Sequence, residues 1–229
     1  FLATPIPAEG HLLAPCKINN DLYLVALEAA TGRHAWHVFL CGMSATASSS
    51  AVESMRIAIS DGVAFVLTGQ GLIFAIEIPS RSVLWAIRYP ARETTRREPA
   101  RAWEPPVATA DVLLAAPVDA NHLFCIDRFT GDVRWQAELH EAVQILGVDR
   151  SHAWVVGNQL QMIDLHTGLP VWTKASINVN GRGSLSGNRI YLPTPGGVIA
   201  FQARTGEPTT LNGTGGAMPG NRKGSRIGV

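Results

Sequence analysis

The sequence predicts an all-β fold, a β-propeller of four-stranded antiparallel blades, with about five blades in 229 residues. Three observations predict it. An eleven-residue frame recurs five times, and its turn position falls at residues 32, 81, 131, 168 and 206. Of the resulting steps of 49, 50, 37 and 38 residues, the last two lie near the 40 that propeller blades use and the first two exceed it. The composition, 46% hydrophobic and 16% charged with 22 Gly, suits many short buried strands joined by tight turns.

The first copy of the frame, residues 26–36, reads ALEAATGRHAW, and the others are AIEIPSRSVLW (75–85), CIDRFTGDVRW (125–135), MIDLHTGLPVW (162–172) and AFQARTGEPTT (200–210). It consists of a small or apolar residue, a variable one, an acid (Gln202 in the last copy), two variable residues, Thr-Gly, three variable residues and Trp. Ser80 and Arg81 replace Thr-Gly in the second copy, and Thr210 replaces Trp in the fifth. The residues before each frame, such as Leu22 to Ala26, are apolar on both alternating sets and predict a strand buried on both faces. Thr-Gly supplies a positive-φ turn, and the acid bonds local amides, so the chain reverses into a strand carrying the Trp. An indole buries a large apolar surface while its N–H needs an acceptor, which a neighbouring repeat's backbone can supply; alternatively each Trp packs within its own sheet.

Two more apolar segments precede each frame and complete four strands per unit. The first unit has strands over 2–6, 12–18, 22–28 and 33–39. The second has 55–59, 63–68, 72–78 and 83–88, and the third 106–109, 112–117, 122–128 and 133–138. The fourth has 143–148, 152–156, 160–166 and 171–174, and the fifth 183–185, 189–193, 198–203 and a weak 208–211. Turn residues separate the second and third strands at 19–21, 69–71, 119–121, 157–158 and 195–197. The blades are therefore expected at about 1–40, 55–89, 106–139, 142–175 and 181–211. Residues 212–229 form a tail or the start of a further blade.

The two long steps imply loop insertions at 41–54 and 90–105. Strand alternation sends both to the face that carries the turns between second and third strands, and the Thr-Gly turns to the other. Loops on a rigid scaffold commonly bind, so Arg92, Arg96, Arg97, Arg101 and Trp103 of the second insertion are the candidate interaction loop.

The frame resembles the pyrroloquinoline-quinone (PQQ) type β-propeller repeat, BamB-like, in which a Trp docks each blade on the next, and the resemblance covers the whole chain. It implies a structural, blade-docking role for Trp36, Trp85, Trp135 and Trp172 together with Gly32, Gly131, Gly168 and Gly206. Because such propellers usually have seven or eight blades, it also implies an incomplete ring, a fragment of a longer bacterial propeller protein. The function it implies is a non-catalytic, periplasmic or otherwise extracytoplasmic protein-interaction scaffold with an unidentified protein partner and no cofactor. The alternatives are a fragment of a PQQ-dependent quinoprotein dehydrogenase and the sensor ectodomain of a signalling protein. A dehydrogenase of this type is expected to carry adjacent cysteines, a Ca²⁺ set of Glu, Asn and Asp, and an Asp base; none can be placed on this sequence.

The remaining features narrow the function classes. Nineteen basic and 18 acidic residues give a net charge of +1, which offers no general attraction to nucleic acid or an anionic membrane. No apolar run reaches the roughly 18 residues of a membrane span. Cys16, Cys41 and Cys125 have no metal-ligand spacing and are expected as buried thiols. Phe1 in place of an initiator Met is expected from a removed signal or an internal piece. His34 and His37, three apart on a strand, are expected on opposite faces and so as no ligand pair. The GxGG run at 213–216 lacks the strand-to-helix context of a phosphate loop, and Asn212-Gly213-Thr214 matches a glycosylation acceptor. The frame acids Glu28, Glu77, Asp127 and Asp164 recur at a turn and are expected to be structural. No catalytic, cofactor-binding or metal residue is assigned.

Overall fold

A computed structural model of the chain describes residues 2–43, 55–91, 105–138, 144–175 and 177–210. Among them it is all β. Sheet one holds β1 (Ile6–Ala8), β2 (His11–Ile18), β3 (Asp21–Glu28) and β4 (His34–Gly42), and sheet two β5 (Arg56–Ser60), β6 (Val63–Leu67), β7 (Leu72–Glu77) and β8 (Ser82–Arg88). Sheet three holds β9 (Val107–Ala108), β10 (Val112–Ala115), β11 (His122–Asp127) and β12 (Val133–Glu138), and sheet four β13 (Gln144–Val148), β14 (His152–Val156), β15 (Leu160–Asp164) and β16 (Pro170–Lys174). Sheet five holds β17 (Ser184–Ser186), β18 (Arg189–Thr194), β19 (Gly197–Gln202) and β20 (Pro208–Thr209). Every sheet is antiparallel with its strands in chain order, the arrangement of a β-propeller of about five blades. First strands of successive sheets neighbour one another, β1 with β5, β5 with β9 and β13 with β17.

The first strand begins later than the apolar segment at 2–6 suggested. Glu9 and Gly10, at φ 48° and 77°, make a two-residue turn that pairs Ala8 with His11 and so fixes the strand at Ile6–Ala8. Leu2 lies outside it, its N–H donating to the Pro15 carbonyl at 2.9 Å.

The core is a stack of apolar layers between sheets. In β11, Phe124 and Ile126 pack with Phe65, Ile73 and Ala75 of sheet two, while Leu123 and Cys125 pack with Ala153, Val155 and Ile163 of sheet four. One strand thus faces two neighbours, which is why its residues lack a polar alternate set and why Leu123 to Ile126 are all buried. The same division holds in β7, where Phe74 and Ile76 turn to sheet one and Ile73 and Ala75 to sheet three. Strand β19 departs from it: Val198 is 53% and Ile199 36% exposed.

Candidate functional site

The junctions between sheets are built by the frame. In sheets one to four the pairing of third and fourth strands slips by one residue just after the frame's first position, at Ala26/Leu27, Ala75/Ile76, Cys125/Ile126 and Met162/Ile163. This bulge sets the Trp directly opposite the small residue, as in Ala26 with Trp36 and Cys125 with Trp135. The acid fastens the turn beyond. Asp127 Oδ1 accepts the Phe129 and Thr130 amides at 3.0 and 3.1 Å, and Asp164 Oδ1 accepts those of His166 and Thr167 at 2.9 and 2.8 Å. The glycine closes it, with the Gly131 and Gly168 amides donating to the Asp127 and Asp164 carbonyls at 3.0 and 2.8 Å. Arg134, 2.7 Å from Asp127, acts with those amides to hold the Asp127 carboxyl down at about 2. Glu28 takes Thr31 and Arg33 as its partners, and Glu77 takes Ser80.

Each turn receives the indole of the sheet before it. Trp85 Nε1 donates to the Arg128 carbonyl at 2.9 Å, Trp135 Nε1 to the Leu165 carbonyl at 2.7 Å and Trp172 Nε1 to the Arg204 carbonyl at 3.1 Å. The ring then covers the turn glycine. A Cβ on Gly131, Gly168 or Gly206 would stand 2.9, 2.7 or 2.8 Å from the nearest atom of Trp85, Trp135 or Trp172. Glycine is therefore required twice, for its positive φ and for the room its missing side chain leaves. The first junction differs: Arg81 holds the glycine position at φ 60°, and its guanidinium lies 5.9 Å from the centre of the buried Trp36 ring. Gly32 has the same backbone as the others at φ 70°, yet a Cβ there would meet nothing within 4 Å.

The fifth sheet lacks the bulge. Ala200 pairs with Thr209 and Phe201 with Pro208, so Thr209, not the frame-spaced Thr210, sits opposite the small residue, with its hydroxyl buried and unpartnered. The frame also gave no sign of Trp154, which lies on a second strand and donates to the Ala203 carbonyl at 2.6 Å. That contact takes the carbonyl equivalent to Arg128 and Leu165, and Trp172 uses the next one along.

Two buried polar groups span the junction of sheets two and three. Arg128, 7% exposed, donates to the Thr109 and Ser60 carbonyls at 2.7 and 2.9 Å and pairs with Asp61 at 2.7 Å. Its guanidinium draws the Asp61 carboxyl below the usual carboxylate range. On the opposite face Asp119, 2% exposed, accepts the Tyr89 hydroxyl at 2.6 Å and the Gly71 amide at 2.8 Å. Burial, and then Asp119, push the Tyr89 phenol well above its ordinary value. Tyr89 follows β8, at the start of the second long connection. Asp119 itself was legible only as turn chemistry, because its partners lie 30 and 48 residues away.

The candidate interaction residues Arg92, Arg96, Arg97, Arg101 and Trp103, and residues 44–54 and 92–104 of the expected insertions, lie outside the described residues. The first insertion starts later than the expected 41, because Cys41 and Gly42 continue β4 opposite Leu22 and Asp21. Of the thiols, Cys16 and Cys125 are buried and Cys41 half-buried. Burial pushes the Cys125 thiol up to about 11. The expectation for His34 and His37 is corrected. The bulge at Ala26/Leu27 inserts Ala35 between paired residues, so both rings fall on one face with His37 Nδ1 3.2 Å from His34 Nε2. The described residues do not supply the donor set of a quinone with its calcium ion. The three cysteines are not adjacent, and among the described residues no three His, Cys, Asp or Glu side chains gather as a metal site.

Similarity to known proteins agrees with this architecture. Among curated protein sequences none matches the chain. Of solved structures, BamB from Moraxella catarrhalis superposes with a TM-score of 0.64 at 21% identity, over 90% of this chain and 62% of that one. A europium-containing methanol dehydrogenase gives 0.58 at 12% identity over 90% and 49%, and a chain of the mitotic checkpoint complex 0.54 at 14% over 86% and 58%. The chain thus spans less than two thirds of each, and these likenesses show the fold alone. The family described as outer membrane protein assembly factor BamB matches residues 20–99 and 92–228. The repeat that docks one indole on the next blade's turn is accordingly that of a known group, and the chain belongs to the PQQ-type β-propeller family of the outer membrane protein assembly factor BamB.

Proposed function

We propose that the chain serves as a non-catalytic scaffold for protein partners outside the cytoplasm of a bacterium. The observation that carries this reading is where the frame's side chains go: its indoles, acids and glycines are engaged in turns and in joining consecutive blades. That rigid body leaves its other face, with the turns between second and third strands and the connections between blades, to bind. The strands that precede the two insertions, β4 and β8, end beside those turns, at Gly42 opposite Asp21 and at Arg88 opposite Leu72, and Arg92, Arg96, Arg97, Arg101 and Trp103 are the side chains proposed to meet the partner. Blades 1–40, 55–89, 106–139, 142–175 and 181–211 are proposed to form one propeller segment, and the extracytoplasmic location follows the family's assembly factor.

Photo-cross-linking in cells tests it. A photoreactive residue at Ile18 or Asn158, exposed beside turns of the insertion face, is expected to capture partner protein, and one at Ala30 or His166, on the Thr-Gly face, is not. Replacing the four arginines by Ser should remove the adducts. Adducts confined to the Thr-Gly face overturn the assignment of the binding face.

A further inference from the structure

We propose that His34 and His37 form a surface chelate for a divalent transition-metal ion, a site independent of the scaffold reading. Four observations carry it. The bulge brings two residues of one strand, three apart, to the same face, with ring centres 5.3 Å apart and His37 Nδ1 3.2 Å from His34 Nε2. Two imidazole nitrogens bound to one ion at roughly 2.0–2.1 Å, at angles from right to tetrahedral, are about 2.9–3.4 Å apart, so the rings already stand at chelating distance. The His37 ring is flanked by Tyr23 of the neighbouring strand, edge-on at 5.4 Å between centres, and Tyr23 by Phe39 at 5.6 Å. That packing fixes one ligand before the ion arrives.

The fourth observation is that the fold does not ask for histidine here. The equivalent positions in the next three sheets hold Val83 and Ala86, Val133 and Gln136, and Pro170 and Thr173, all exposed. An imidazole pair is therefore an addition to the repeat, unlike its acids and glycines. Both histidines are exposed, and because these positions are exposed even in sheets covered on both faces, an ion reaches them from solvent. Imidazole nitrogens suit Zn²⁺, Ni²⁺ and Cu²⁺, with Cu²⁺ held most tightly. Among the described residues no third protein ligand joins them, so water fills the remaining positions and the ion stays open to exchange.

Calorimetric titration of the full chain with ZnCl₂ tests the site. One equivalent is expected to bind, with affinity at least about tenfold lower in His34→Gln and in His37→Gln and unchanged in His166→Gln. In the unsubstituted protein, Zn²⁺ should shift the imidazole proton resonances of His34 and His37 ahead of those of the other five histidines. Unchanged affinity in both variants, or resonances of other histidines moving first, shows that the 3.2 Å contact is only an N–H···N hydrogen bond and overturns the proposal.

Discussion

Replacing Gly131 and Gly32 separately by Ala isolates what an indole contributes to a blade junction. Both glycines have the left-handed backbone, φ 82° and 70°, and both close the same turn. The alanine at either site meets the conformational cost of that region, about 1–2 kcal/mol. At Gly131 the new Cβ would also stand 2.9 Å from Trp85 Cδ2 and 3.0 Å from Cγ, with the ring pinned by its bond to the Arg128 carbonyl. Overpacking of that kind adds about 1–3 kcal/mol. At Gly32 nothing lies within 4 Å and the second cost is absent. Gly131→Ala should therefore lose about 2–5 kcal/mol and Gly32→Ala about 1–2 kcal/mol. Urea unfolding followed by circular dichroism reads the difference as a larger fall in midpoint at constant slope. Equal losses would leave the Trp ring without a role at the turn.

Trp85→Ala should cost about 3–5 kcal/mol by cavity formation, whereas Trp85→Phe, which keeps most of the ring but leaves the Arg128 carbonyl unbonded, should cost about 1–3 kcal/mol; thermal melts order the two. Tyr89→Phe removes a partner of a buried carboxylate and should cost about 1–3 kcal/mol, against almost nothing for Phe at the half-buried Tyr23. Asp127, held at about 2, stabilises the fold fully above the ordinary carboxylate range and loses that contribution as pH falls through about 2. With its side chain about a quarter exposed, Asp127→Asn should lower stability by about 1 kcal/mol at pH 7, a gap that closes towards pH 2 in parallel urea titrations.

The fold was legible because the repeat states the same physical demand five times. Apolar residues on both alternating sets, then an acid, Thr-Gly and Trp, read as a buried strand turning into a docked one, and the sheets follow that order. What escaped the sequence was contact between distant residues and the effect of a single inserted one. Ala35 is unremarkable by type, yet as the bulged residue it reverses the parity that placed His34 and His37 on opposite faces. The missing bulge likewise moves Thr209 into the place that spacing assigns to Thr210. Trp154 sits outside the frame, so nothing in its spacing pointed to the Ala203 carbonyl. Tyr89 and Asp119 look like a strand end and a turn, and only the stacking of sheet two on sheet three makes them partners.

The scaffold reading is tested most directly by equilibrating the purified chain with PQQ and Ca²⁺ and recording its absorbance and dye-linked alcohol oxidation. No bound-quinone spectrum after desalting and no turnover are expected, because the polar groups of the repeat are engaged in turns and blade junctions. A stoichiometric quinone spectrum accompanied by alcohol-dependent dye reduction would contradict that reading and make the chain part of a quinoprotein dehydrogenase.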